Sequence, residues 1–200
     1  MKNLTLGIIL SAVSASSFAF DIADTKFSAE ALVGMADQEL SATGFQDTEG
    51  DDISLGFRLA AQPHKNVAIE VGYLNVGDAD DSYIDGFGDT IKEEVSTDMY
   101  TAGVKLMLPL ESGLALNARL GMAMWDTEIK ASDSSMPGQT LTADDDGTDF
   151  YYGIGAQYSF TENLFAGVEY TRFAMEPSFN TSMDIDHDVD NLAASIGWQF

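Results

Sequence analysis

The chain has no cysteine, four prolines, two histidines and only nine lysines and arginines against 33 aspartates and glutamates. The missing cysteines exclude disulfides and any lipid attachment at a cysteine. The shortage of cations, with a formal net charge of −24, excludes nucleic acid as a partner, because that binding rests on Lys and Arg neutralising phosphates. Long apolar runs are absent as well. The longest, Leu4 to Val13, is interrupted by Thr5 and Ser11 and falls short of the roughly 20 residues that a membrane-spanning helix needs. Disorder is excluded in turn: the chain is 45% hydrophobic and 10% aromatic, the opposite of a disordered profile.

What is present begins with an export signal. Lys2 supplies a short basic region and Leu4 to Val13 an apolar one. Ser17-Phe18-Ala19 puts small residues at the −3 and −1 positions of a cut after Ala19. Residues 1–19 are therefore expected to be a signal peptide, and 20–200 a single domain.

Within that domain, apolar and polar residues alternate in steps of two, the mark of a strand with two unlike faces. The last ten residues are the clearest case. Leu192, Ala194, Ile196, Trp198 and Phe200 share one face, and Asn191, Ala193, Ser195, Gly197 and Gln199 share the other. Seven earlier stretches alternate in the same way, near Phe27–Met35, Ile53–Leu59, Val67–Tyr73, Tyr100–Leu108, Leu114–Met124, Phe150–Phe160 and Leu164–Tyr170. The connections run long, short, long, short, long, short, long. The long ones, at about 37–51, 76–97, 126–147 and 174–190, hold most of the acid. An even strand number with long outer loops and short periplasmic turns is the pattern of an all-β, eight-stranded, antiparallel up-and-down transmembrane β-barrel.

A soluble barrel alternates too, with its apolar face inward. Here the polar face is rich in small residues that suit a narrow lumen. The same face carries Glu30, Arg58, Glu70, Lys105, Arg119 and Glu169, three acids and three bases. On a lipid face each Arg or Lys near the midplane would cost about 2–4 kcal/mol; inward, the six can neutralise one another. The aromatics sort by depth as interfacial girdles do. Phe27, Phe160, Trp198 and Phe200 fall at one end, and Tyr73, Tyr100, Phe150, Tyr152 and Tyr170 at the other.

The eight-strand plan, the hairpin Tyr158-Ser159-Phe160-Thr161-Glu162-Asn163-Leu164 leading to Val168-Glu169-Tyr170, and the closing Ser195-Ile196-Gly197-Trp198-Gln199-Phe200 resemble the small outer membrane protein A-like barrel family. The resemblance implies a Gram-negative outer membrane, with lipopolysaccharide and lipid as surroundings. It also implies insertion by the barrel assembly machinery, which reads the C-terminal strand; the residues concerned here are Tyr170, Leu192, Ile196, Trp198 and Phe200. No peptidoglycan-binding domain, such as the longer relatives of that family carry, is expected after the barrel.

An eight-stranded barrel has room inside only for side chains. The six inward charges are expected to form a packed plug, with Arg58 and Glu70 as one pair and Lys105 and Arg119 each needing a carboxylate such as Glu169 or Glu30. His64 lies on a short turn. His187 lies among Asp184, Asp186, Asp188 and Asp190, and no spacing sets out a nucleophile, a base and its orienting group. The alternating carboxylates from Asp184 to Asp190 suit a solvated strand extension. A weak Ca²⁺ or Mg²⁺ layer shared between the acidic loops and lipopolysaccharide phosphates is the other option there, and Arg172 would face outward at the upper rim. No cofactor is expected. These features together suggest a monomeric, non-enzymatic barrel with a structural or surface-interaction role. The alternatives are a narrow or gated pore for small solutes, and a lipid A-modifying enzyme that uses His187.

Overall fold

A computed structural model of the chain describes residues 25–42, 48–84, 88–135, 139–175 and 185–200; the expected signal peptide lies outside them. Eight strands close in sequence order into an antiparallel barrel. They are β1 (Lys26–Ala42), β2 (Thr48–His64), β3 (Val67–Ile84), β4 (Thr90–Pro109), β5 (Leu114–Asp133), β6 (Thr140–Ser159), β7 (Leu164–Met175) and β8 (Ile185–Gln199). The first and last strands close the ring, with Ala31 opposite Ile196 and Met35 opposite Leu192.

The side-chain period of two assigns every residue to a face. Outward lie Val33, Leu55, Phe57, Val71, Leu106, Leu120, Ile154, Val168, Leu192 and Ile196, all between 44% and 66% exposed. Inward lie Glu30, Glu70, Lys105, Asn117, Arg119, Glu169 and Ser195, each no more than 8% exposed. Exposed apolar rows around a buried polar interior invert the order of a soluble protein, and only hydrocarbon can solvate such a surface. Inward glycines provide sockets for the few large rings inside. A Cβ on Gly197 would fall inside the Phe165 ring, and one on Gly103 would lie 2.5 Å from the Tyr151 hydroxyl.

The strands do not stop where the alternation of the lipid-facing zone stops. Segments expected as long loops, at about 37–51, 76–97 and 126–147, are largely strand, and so are the described ends of the one at 174–190: β3 continues to Ile84, β4 starts at Thr90, β5 continues to Asp133, β6 starts at Thr140 and β8 starts at Ile185. The reason is a reversal of polarity. Above the outer girdle the outward positions turn acidic, with Asp98 and Asp126 exposed, while the inward ones turn apolar, with Val95, Met99 and Trp125 buried. This is the amphipathy of a sheet in water.

Two seams open in this upper part. Pairing of β2 with β3 ends at Leu55 and Asn75, and pairing of β6 with β7 ends at Tyr151 and Phe173. Above those levels β3 to β6 continue as one sheet, and β8, β1 and β2 as another. At the first seam the Asp52 carboxylate replaces the lost ladder bonds, accepting the Asp78 N–H at 3.0 Å.

Candidate functional site: the closed lumen and the acidic rim

Inward side chains from five strands meet in the lower half of the lumen. Arg58 on β2 bonds Glu169 of β7 through both terminal nitrogens, at 2.7 and 3.1 Å, and Glu30 of β1 at 3.2 Å. Its Nε lies 3.8 Å from Glu70 of β3. Arg119 on β5 touches the same three carboxylates: Glu70 at 3.1 Å, Glu30 at 3.4 Å, and Glu169 through its Nη1. Asn117 accepts a further bond from Arg119 at 3.1 Å. Two guanidiniums thus share three carboxylates, with Arg119 only 3% exposed. Buried charges are retained only when paired and hydrogen-bonded to this extent.

Two details depart from the sequence expectation. The expected Arg58–Glu70 pair is the loosest of the Arg58 contacts. In the ladder Arg58 stands opposite Gly72, not Glu70, so the guanidinium meets Glu169 across the lumen instead. Lys105, expected to need a carboxylate, has none within 4 Å among the described residues. Its Nζ donates to Gln157 Oε1 at 2.7 Å and lies 5.8 Å from the centre of the Phe165 ring, within cation–π range.

Above the charges the lumen is mostly apolar, with Gln38, Thr97 and Thr127 buried among the apolar side chains, a layer that the alternation of the sequence did not predict. Leu74, Val76, Met99, Trp125, Tyr151, Phe173, Met175 and Val189 form one buried cluster. Between the two layers lies a cavity of about 20 Å³, lined in part by Arg58, Thr101, Tyr151, Thr171 and Asn191. That is room for about one water molecule. The inward alternation of Val95, Met99 and Trp125 with outward acid was the available signal for the apolar layer.

His187 caps this cluster. It lies inward on β8, 1% exposed, opposite Met175. Neither ring nitrogen has a hydrogen-bond partner among the described residues. Its level is outside the hydrocarbon, since Asp188 and Asp190 occupy the outward face there. Burial holds its pKa down at about 4. Among the described residues no serine or aspartate bonds it. His64 sits on the exposed β2–β3 turn and accepts the Asn66 N–H.

Outside, carboxylates stand in rows above the girdle. Asp190, Asp37 and Asp51 are direct cross-strand neighbours, as are Asp98, Asp126 and Asp146. Arg172 does face outward at the rim, but it is already engaged, at 2.5 Å from Asp188 and 3.1 Å from Asp190. Tyr170 and Tyr73 turn their hydroxyls up to donate to Asp190 and Asp98, each at 2.6 Å, as girdle tyrosines do at a wet interface. Among the described residues no three His, Asp or Glu side chains are grouped to hold a metal ion.

No curated protein matches the chain. Among solved structures it is similar to the attachment invasion locus protein Ail of Yersinia pestis, at 16% identity, covering 86% of this chain and 98% of that one with a TM-score of 0.52. It is also similar to Neisserial surface protein A, at 10% identity, 87% and 97% coverage and a TM-score of 0.55. A third is AlkL, solved in lipid bilayers, at 12% identity, 88% and 90% coverage and a TM-score of 0.52. At these identities the likeness is one of fold. The family model described as the outer membrane protein beta-barrel domain matches residues 6–200, and the chain accordingly belongs to that family of outer-membrane barrels.

Proposed function

We propose that this barrel is a non-conducting, non-enzymatic outer-membrane protein whose role is structural and whose acidic strand extensions form its surface of interaction. The observation that carries this is the double closure of the lumen. Two arginines locked to three glutamates fill the lower half, and an apolar layer that includes Met99, Trp125 and Phe173 fills the upper half. A hydrated ion would have to break both. The enzymatic reading lacks support from His187, which points inward and bonds nothing among the described residues.

The chain acts as a monomer with lipid and lipopolysaccharide as its surroundings, and enters the membrane through the barrel assembly machinery. Tyr170, Leu192, Ile196, Trp198 and Phe200, all on the outward face, are the residues presented to that machinery. Ail has been crystallised with the heparin analogue sucrose octasulfate. The outward carboxylate rows here would repel such a polyanion, so the surface suits cationic or neutral partners. Planar-bilayer recording tests the closure: the purified monomer should give no steady conductance, and regular channels would overturn the proposal in favour of a pore. Mass spectrometry of lipid A from cells with and without the protein should show no difference; a modified lipid A would favour the enzyme.

A further inference from the structure

We propose that the upper edge of β6, from Thr140 to Phe150, takes up a cationic polypeptide segment as an added β-strand, with basic side chains opposite Asp144 and Asp146. This rests on the reading of the acidic extensions as the surface of interaction, and it names the partner. The last pair between β6 and β7 is Tyr151 with Phe173, yet β6 reaches up to Thr140 and β7 to Met175. The strands therefore part while both still have chain to pair. On its other side β6 stays paired with β5 from Tyr158 to Thr140 without a break in register. A strand held from one side leaves alternate N–H and C=O groups aimed into the seam, ready to pair with another chain. Among the described residues no backbone bond outside the ladders reaches this stretch. The other seam is blocked. There β3 bulges between Asn75 and Asp78 with Gly77 at a φ of 75°. Asp52 accepts the Asp78 N–H at 3.0 Å, and Gln38 donates to the Gly77 carbonyl at 3.4 Å.

Charge identifies the partner. The outward row Asp98, Asp126, Asp146 crosses β4, β5 and β6 and stops at the open edge. The next row up, Ser96, Glu128, Asp144, stops there too. Glu128 is paired with Lys130 at 2.8 Å, whereas Asp144 and Asp146 are exposed with no cation within 4 Å among the described residues. The next position in each row belongs to the strand that is added. Directly opposite side chains attract when their charges are opposite and repel when alike, so those positions call for Lys or Arg. On the inner face of the same edge Leu141 and Ala143 are exposed, Leu141 by 73%, and they call for apolar residues between the basic ones. The segment is thus one of alternating basic and apolar residues. A second copy of this chain joined edge to edge would set Asp144 and Asp146 against their own counterparts, and the net charge of −24 adds to that repulsion.

Amide exchange followed by NMR tests this, on the barrel in zwitterionic nanodiscs with a short peptide of alternating Lys and Val. In the barrel alone, alternate amides between Thr140 and Phe150 should exchange fast, and the peptide should protect them. A version of the peptide N-methylated along its backbone keeps the charge and loses the donors, and it should protect none. Asp144→Asn/Asp146→Asn should weaken uptake of the parent peptide roughly tenfold, as expected for two lost cross-strand charge pairs. Heat-dependent gel mobility checks that the variant is folded. Seam-facing amides already protected without peptide, or self-association of the barrel through β6, would overturn the proposal. Equal binding of the methylated peptide, still weakened by the Asn changes, would overturn strand addition and leave the acidic surface as the surface of interaction. Binding of neither peptide would overturn both.

Discussion

Arg119 reaches Glu30, Glu70 and Glu169 at once, so its loss strands three buried carboxylates. Arg119→Ala should lower stability by about 3–5 kcal/mol, the cost of breaking a buried pair from one side, measured by urea unfolding in lipid vesicles. A double-mutant cycle should find stronger coupling between Arg58 and Glu169 than between Arg58 and Glu70, following 2.7 Å against 3.8 Å; equal couplings would contradict the geometry. His187 predicts a pH dependence. Its folded pKa of about 4 lies below the ordinary histidine value of 6.5, so between those values the unfolded chain binds a proton that the folded chain refuses. Its contribution is complete above pH 6.5 and is lost as pH falls towards 4, by roughly 3 kcal/mol at most. Replacing His187 with Leu should flatten the stability profile in that window; an unchanged slope would mean that the ring is solvated.

Among the strands, the membrane-crossing halves were legible in the sequence because hydrocarbon outside and polar groups inside leave a strict period of two. Phe57-Arg58-Leu59 and Val168-Glu169-Tyr170 show it within three residues. The upper halves obey the same period with the faces exchanged. His187-Asp188-Val189-Asp190 is a strand with its acid turned to water, but its charge density suggested a loop. Nothing in the sequence alone marks where the exchange occurs, and for the same reason the buried Met99, Trp125 and Phe173 were not recognised as lumen residues. The pairing of Arg58 was also illegible, since it depends on the register across the lumen. The acidic rows have a cost of their own. Asp126 stands between Asp98 and Asp146, and like charges directly opposite are destabilising. Asp126→Asn should therefore stabilise the barrel by about 0.2–1 kcal/mol at low ionic strength, with the gain vanishing in high salt as screening takes over. A salt-independent gain would point to another cause.

Taken whole, the molecule has two solvents. Its lower half is a barrel turned inside out for hydrocarbon, and its upper half is an amphipathic sheet assembly for water, joined at a ring of tyrosines and aspartates. Shortening the β3–β4 and β5–β6 extensions above Asp98 and Asp126 should leave the lower barrel able to fold in lipid while removing surface binding. Loss of membrane insertion would mean that the two halves fold as one unit. The central claim is the direction of the faces, and the absence of native cysteine makes it directly measurable. Single cysteines placed from Leu192 to Trp198 on β8 can each carry a spin label, tested in vesicles for collision with oxygen, which enters lipid, and with a water-soluble nickel chelate. Labels at Leu192, Ala194, Ile196 and Trp198 should meet oxygen and not nickel, and those at Ala193, Ser195 and Gly197 should meet little of either. Nickel reaching the Leu192–Trp198 row, or the two sets exchanging behaviour, would contradict the account.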